Sequence, residues 1–258
     1  MIDLIICGCN GKMGKVLTKI ILSKPEYKIV AGIDIEARPY YDIPVFRSFS
    51  ETSALCDVII DFSSPNALED ILNYAVKNKA ALVLCTTGYS DDQIKEIKKA
   101  SEVIPIFSSR NMSIGVNLMV ELSKKAAKVL GKDFDIEIIE KHHNQKIDAP
   151  SGTALMIADE ISKCMHDQTN YIYDRHCQRK RRGKNEIGIH SIRGGNIIGE
   201  HEVIFAGDSE ILTITHHANS RDLFARGALK CCEFINNKES GMYSMSDLVG
   251  CEHSLCQK

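Results

Sequence analysis

Two histidines and a lysine stand just ahead of Pro-Ser-Gly in the run EKHHNQKIDAPSGTA, Glu140 to Ala154. Pro150 suits an extended lead-in and Ser151 is a preferred helix cap, so the backbone N–H groups around Gly152 and Thr153 open a helix toward an anion. A carboxylate would suit them. His142, His143 and Lys146 add groups that carry charge or give up a proton near neutral pH, histidine because its ordinary pKa is about 6.5. The segment therefore reads as an anion site with acid catalysts beside it.

A second candidate lies near the start, where Leu4-Ile5-Ile6-Cys7 reads as a buried strand followed by GCNGKMG. Glycines between a first strand and its helix let the backbone approach a pyrophosphate, which the helix N-terminus then stabilises. The turn offers Gly8, Cys9, Asn10, Gly11, Lys12 and Met13, although Asn10 stands where the usual pattern has its middle glycine. Asp34 closes the next strand ~20 residues on, the place for a carboxylate that accepts hydrogen bonds from an adenosine ribose. It would repel a ribose phosphate, which favours NADH over NADPH. Lys12 and Arg38 can offset that repulsion, so use of both cofactors stays open.

The elements that must position these groups follow from periodicity. Met13, Val16, Leu17, Ile20 and Ile21 form the apolar stripe of a helix laid on a sheet. Strands over 28–35, 57–62, 81–85 and 103–107 alternate with helices, which implies parallel strands joined by crossovers. The segment with Pro39 and Pro44 reads as a polar loop. After a long helix, about 115–130, a strand ending in Glu140-Lys141, a helix from Ala154 and a strand-rich stretch to His217 follow. Breaks at Gly194-Gly195-Asn196 and Gly207-Asp208 read as hairpin turns between antiparallel neighbours. A last helix spans roughly 220–236. The fold class is α/β: a doubly wound, Rossmann-like dinucleotide domain over 1–112 and 222–258, plus an α+β substrate domain with a mixed sheet over 113–221.

The 258 residues carry a net charge of −2, which argues against a nucleic-acid-binding surface. Gln178 to Lys184, QRKRRGK, is a local basic run and reads as a solvated loop. No apolar stretch approaches the ~20 residues of a membrane span, and no secretory leader is visible, so a cytoplasmic protein without membrane or nucleic-acid partners is expected. The ten cysteines lack paired spacing and read as reduced thiols. Cys251, His253 and Cys256 do not close a structural metal site, and no metal is expected.

Together GCNGKMG, DFSSP, CTTG, NMSIGVN, EKHHNQKIDAPSGTA, SIRGGNIIGEHEVIFAG and HHANSRDLFARGA resemble, in that order, the 4-hydroxy-tetrahydrodipicolinate (dihydrodipicolinate) reductase family of bacterial lysine and diaminopimelate synthesis. The resemblance implies an NAD(P)H-dependent oxidoreductase acting on a small cyclic dicarboxylate, with a homotetramer assembled through the substrate domain. It makes His142 the proton donor and acceptor, Lys146 a second proton donor, and His143, Gly152 and Thr153 substrate contacts beside the cap residue Ser151. It sets Gly8 to Met13, Asp34, Cys85-Thr86-Thr87 and Ser109-Arg110-Asn111-Met112 against the cofactor. Cys85 replaces a common glycine, Met112 a frequent phenylalanine, and Ile35 an arginine that some members direct at the 2′-phosphate. Rival readings are another nicotinamide dehydrogenase, which leaves the two histidines beside DAPSGT unexplained, and a non-catalytic redox sensor, which would want a partner-binding module.

Overall fold

The computed structural model describes residues 1–165 and 168–250, so Cys251, His253 and Cys256 lie outside the described residues. The chain forms two units, Met1–Ser113 with Asp222–Lys258, and Ile114–Arg221.

The first unit runs β1 (Ile2–Cys7), α1 (Lys12–Leu22), β2 (Tyr27–Ile33), β3 (Val45–Phe46), β4 (Val58–Asp61), α2 (Leu68–Asn78), β5 (Ala81–Leu84), α3 (Asp91–Ser101) and β6 (Pro105–Ser108). Its sheet has seven strands, because a twelfth strand of the chain, β12 (Gly241–Tyr243), joins beside β6. Every pairing in it is parallel. Strands β4 and β5 are buried at every position, as a sheet covered on both faces requires. Side chains alternate between two cores: Leu4 and Ile6 pack with Leu17 of α1 and with Leu229 and Cys232 of α6 (Asp222–Ile235). Ile5, Ile59 and Leu82 pack on the other side with Ile71 of α2 and Ile97 of α3.

Three elements of this unit differ from the sequence reading. The loop with Pro39 and Pro44 ends in the short edge strand β3, secured by Gly32 N–H to the Pro44 carbonyl at 2.8 Å and Asp34 N–H to the Phe46 carbonyl at 2.9 Å. Strand β2 stops at Ile33 instead of Ile35, and β12 adds three residues beyond the last helix that was read. Pieces this short carry no periodicity; backbone pairing alone defines them.

The second unit runs α4 (Ile114–Leu130), β7 (Asp135–His142), α5 (Gly152–Ser162), β8 (Asn170–Ile172), β9 (Glu186–Arg193), β10 (Glu200–Ala206) and β11 (Ile211–His217). Its sheet order is β11-β10-β7-β9-β8. Gly207-Asp208 joins β10 and β11 as an antiparallel pair. Gly194-Gly195-Asn196 is not a hairpin turn: β7 lies between β9 and β10, parallel to the first and antiparallel to the second. The expected pairing fails because β7 takes the centre between the two strands, leaving the glycines to cross its end. Nor is the basic run merely solvated. Arg182 bonds Asp135 at 2.7 Å, Glu137 at 3.1 Å and the Ile136 carbonyl at 3.0 Å, which pins that loop to the start of β7.

Candidate functional site

Along β7, alternation turns Ile136, Ile138, Glu140 and His142 to one buried side. A carboxylate in such a row needs partners, since an unpaired buried charge is costly. Glu140 has 0% exposure, and Arg193 at the end of β9 meets it with both terminal nitrogens, Nη1 to Oε2 at 2.8 Å and Nη2 to Oε1 at 2.6 Å. The parallel register makes this possible, setting Arg193 beside His142 and Ser191 beside Glu140. The Ser151 N–H also donates to Oε1, at 3.1 Å. Although burial works to raise it, bonds from Arg193, Ser191 and His142 hold the Glu140 carboxyl down to about 2.

His142 Nδ1 lies 2.5 Å from the remaining side of that carboxylate, at Oε2. An ionised acceptor takes the Nδ1 proton, which leaves Nε2 as the atom free to exchange one. Burial lowers the imidazole below its ordinary value, outweighing the pull of Glu140 in the other direction. Gly199 keeps space open at Nε2, because a Cβ there would come within 3.2 Å of it. Beneath, His201 crosses the His142 ring edge-on at 5.3 Å, and its Nε2 lies 3.1 Å from Ser151 Oγ. Burial drives His201 down to about 4, so it is neutral.

The loop after β7 is fastened to the glycine crossing, with Gly194 N–H on the His142 carbonyl at 2.9 Å and Asn144 N–H on the Gly195 carbonyl at 3.2 Å. It carries Lys146, whose Nζ lies 2.9 Å from Asp148 Oδ1. Asp148 is held below the usual carboxylate range by Lys146 first, with smaller help from the Gly152 N–H at the start of α5. Lys146 and the helix start thus already converge on a carboxylate. His143 follows His142 on this loop, and Gly152 is exposed. Ser151 is different: its hydroxyl accepts the Ala154 N–H at 3.1 Å and lies 3.1 Å from His201 Nε2, and the residue is buried, so its side chain caps α5.

Glu140, Arg193, His201 and Gly199 are absent from the sequence-read set. A glutamate at a buried position of an alternating strand was a signal for the first; nothing in the sequence links Arg193 to it without the strand order.

In the first unit Gly8, Asn10, Gly11 and Asp34 line one cavity of about 590 Å³ at the carboxyl ends of β1 and β2, with Arg47, Ser63, Asn66 and Asp70 on its other walls. Gly8 has φ +73°, and a Cβ there would meet the Phe62 carbonyl oxygen at 2.6 Å. Gly14 leaves 2.1 Å for a Cβ against the Gly8 carbonyl, so turn and helix close tightly. The cap residue of α1, Gly11, has no side-chain bond to the helix start, which leaves its N–H groups for an anion. A glycine cradle, an uncapped helix and a cavity of this size fit a dinucleotide. Asp34 Oδ2 accepts the Asn10 N–H at 2.9 Å and Oδ1 the Glu36 N–H at 3.1 Å, each oxygen keeping a second lone pair.

Several residues assigned to the cofactor turn their side chains inward. Cys9 and Met112 are buried, and Met13 and Cys85 pack against the same core, leaving only backbone to offer. Lys12 begins α1 and is exposed. Thr86 and Thr87 follow β5, and Ser109, Arg110 and Asn111 follow β6, at the same sheet edge but outside that cavity. Asp61 ties this edge together, accepting the Ser63 N–H at 2.9 Å and the Tyr89 hydroxyl at 3.0 Å. No helix among the described residues is long and apolar enough to cross a membrane.

Against known proteins, the family model described as dihydrodipicolinate reductase, N-terminus, matches residues 2–112, and that described as dihydrodipicolinate reductase, C-terminus, matches residues 115–249. The 4-hydroxy-tetrahydrodipicolinate reductases of Caldanaerobacter subterraneus subsp. tengcongensis and Clostridium tetani are each 51% identical over 249 residues, covering 96% of this chain and 98% and 97% of theirs. A dipicolinate-bound dihydrodipicolinate reductase from Paenisporosarcina sp. TG-14 superposes with a TM-score of 0.82 at 26% identity, over 96% of this chain and 99% of that one. An engineered D-amino acid dehydrogenase bound to NADP+ shares the fold at a TM-score of 0.56 and 14% identity, covering 98% of this chain and 97% of its own.

Proposed function

The chain belongs to the dihydrodipicolinate reductase family, and from that membership we propose how its own residues carry the family's reaction. It is an NAD(P)H-dependent oxidoreductase that converts 4-hydroxy-tetrahydrodipicolinate to tetrahydrodipicolinate in lysine and diaminopimelate synthesis. One water leaves, one hydride arrives at the ring carbon conjugated with the imine, and one proton arrives at the neighbouring carbon. The nicotinamide, when bound, supplies the hydride.

This chain's residues bind, orient and protonate. Lys146 and the N–H groups at Gly152 and Thr153 take a substrate carboxylate, with His143 beside them; the convergence of Lys146 and Gly152 on the Asp148 carboxylate is the observation that carries this. His142 delivers a proton from Nε2 while Glu140 holds Nδ1, and Lys146 is the second donor. Burial lowers His142 below the ordinary imidazole value, so less of it carries a proton at neutral pH than in an exposed histidine. The Gly8–Gly11 turn holds the pyrophosphate and Asp34 the adenosine ribose, and Asp34 with Ile35 favours NADH. The turns at Cys85–Thr87 and Ser109–Met112 contribute backbone toward the nicotinamide half. The enzyme works in the cytoplasm as a homotetramer.

The deciding experiment follows loss of the reduced-nicotinamide absorbance with freshly generated synthase product. His142→Gln and Lys146→Ala are each expected to lower kcat ~10²–10⁴-fold and leave cofactor dissociation constants unchanged. Unaltered kcat in both variants would remove this site from the reaction.

A further inference from the structure

Strand β3 runs parallel to β2, with Gly32 beside Val45 and Ile33 beside Phe46, so the next residues in register are Asp34 and Arg47. Both line the cavity at the carboxyl edge of the sheet, the edge where a doubly wound fold takes its ligand. The other charged side chains on its wall are Glu36 and Asp70. Arg47 is therefore one cation among three carboxylates. Among the described residues its guanidinium has no ion pair and no hydrogen-bond partner, whereas its backbone N–H is tied to Glu51 Oε2 at 3.0 Å. The main chain is fixed and the charged end is uncommitted.

A 2′-phosphate on the adenosine ribose brings nearly two negative charges and three acceptor oxygens to the neighbourhood of Asp34. Ile35, next in sequence, is 89% exposed and offers no donor. An arginine fork matches phosphate geometry with two parallel bonds, and Arg47 is an exposed, unpaired arginine one strand away on the wall of the same cavity.

We propose that Arg47, at the end of the edge strand, is the residue that receives the 2′-phosphate, so that the enzyme accepts NADPH as well as NADH despite Asp34. This rests on the NAD(P)H reading above. It also makes cofactor choice a balance between adjacent strand ends: Asp34 selects the free hydroxyl and Arg47 the phosphorylated one.

Calorimetric titration of the full chain with NADH and with NADPH, without substrate, tests it. Arg47→Ala should weaken NADPH binding ~10-fold or more and change NADH binding less than about threefold. Arg47→Lys should recover part of the NADPH affinity, because it restores charge without the fork. Equal loss for both cofactors would overturn the proposal, since it would mean that Arg47 supports the adenine or the loop. Unchanged NADPH binding would overturn it as well. If the unaltered protein binds neither cofactor, the NAD(P)H reading itself falls; NADH binding with no Arg47 effect leaves that reading standing.

Discussion

His142 Nδ1 and Glu140 Oε2 lie 2.5 Å apart on the same face of β7, two residues apart, with the carboxylate fully buried. The pair fixes which nitrogen of the imidazole exchanges a proton. Glu140→Gln keeps the size but can present an N–H to Nδ1, which reverses the tautomer. Expected is a fall in kcat of ~10²-fold or more, with cofactor affinity intact. Steady-state kinetics beside a cofactor titration check it; an equal loss in both would make Glu140 a folding residue only.

Arg193 neutralises Glu140 in a dry setting, and removing it leaves a buried carboxylate uncompensated. Arg193→Met should destabilise the protein by about 3–5 kcal/mol, whereas the double variant with Glu140→Met should recover much of that loss. Urea unfolding of the two variants measures the difference. A double variant no more stable than Arg193→Met would mean that the pair acts through something other than charge.

His201 makes stability depend on pH in a definite direction. Its ordinary value of 6.5 falls to about 4 in the fold, so between those values the unfolded chain holds a proton that the native state refuses. Stability is full above pH 6.5 and is lost as pH falls toward 4, by on the order of 2–3 kcal/mol. Glu140, lowered to about 2, adds a further loss as pH falls from its ordinary 4.5. His201→Gln should reduce the slope in the first window, leaving what His142 and His216 contribute there, and leave the second. Unfolding midpoints at spaced pH values test this, and an unchanged slope between 6.5 and 4 would exclude His201 as its source.

The sequence carries the long elements well, because Leu17, Ile20 and Ile21 on α1 or Ile136 and Ile138 on β7 announce their period locally. The positions of His142, Lys146, Gly8, Gly11 and Asp34 in the fold are legible because each lies in a short motif tied to a strand end. Arg193 was not, since its bond to Glu140 spans 53 positions and depends on β7 entering between β9 and β10. The same insertion defeats the hairpin expected at Gly194-Gly195. Cys9, Cys85 and Met112 were assigned by motif position, but a motif fixes the backbone path, and core packing decided where those side chains point. The cap role of Ser151 is local and legible: its hydroxyl accepts the Ala154 N–H at the start of α5.

Gly199 enters β10 from the loop that crosses above His142, and its missing side chain is what leaves Nε2 approachable. A Cβ would stand 3.2 Å from Nε2 and 3.5 Å from Cδ2, closer than comfortable contact, so the ring must tilt or the loop must shift. The ring is held from behind by Glu140, and its edge rests on His201, so tilting sacrifices one of these contacts. Gly199→Ala should therefore lower kcat ~10-fold through misplacement of the proton donor, and Gly199→Val should lower it further. Cofactor binding should not change, as it depends on the other unit. The histidine Nδ1 proton resonance gives a second readout, since loosening the bond to Glu140 moves it upfield. Full activity in Gly199→Val, with that resonance unmoved, would show that the proton does not pass through Nε2.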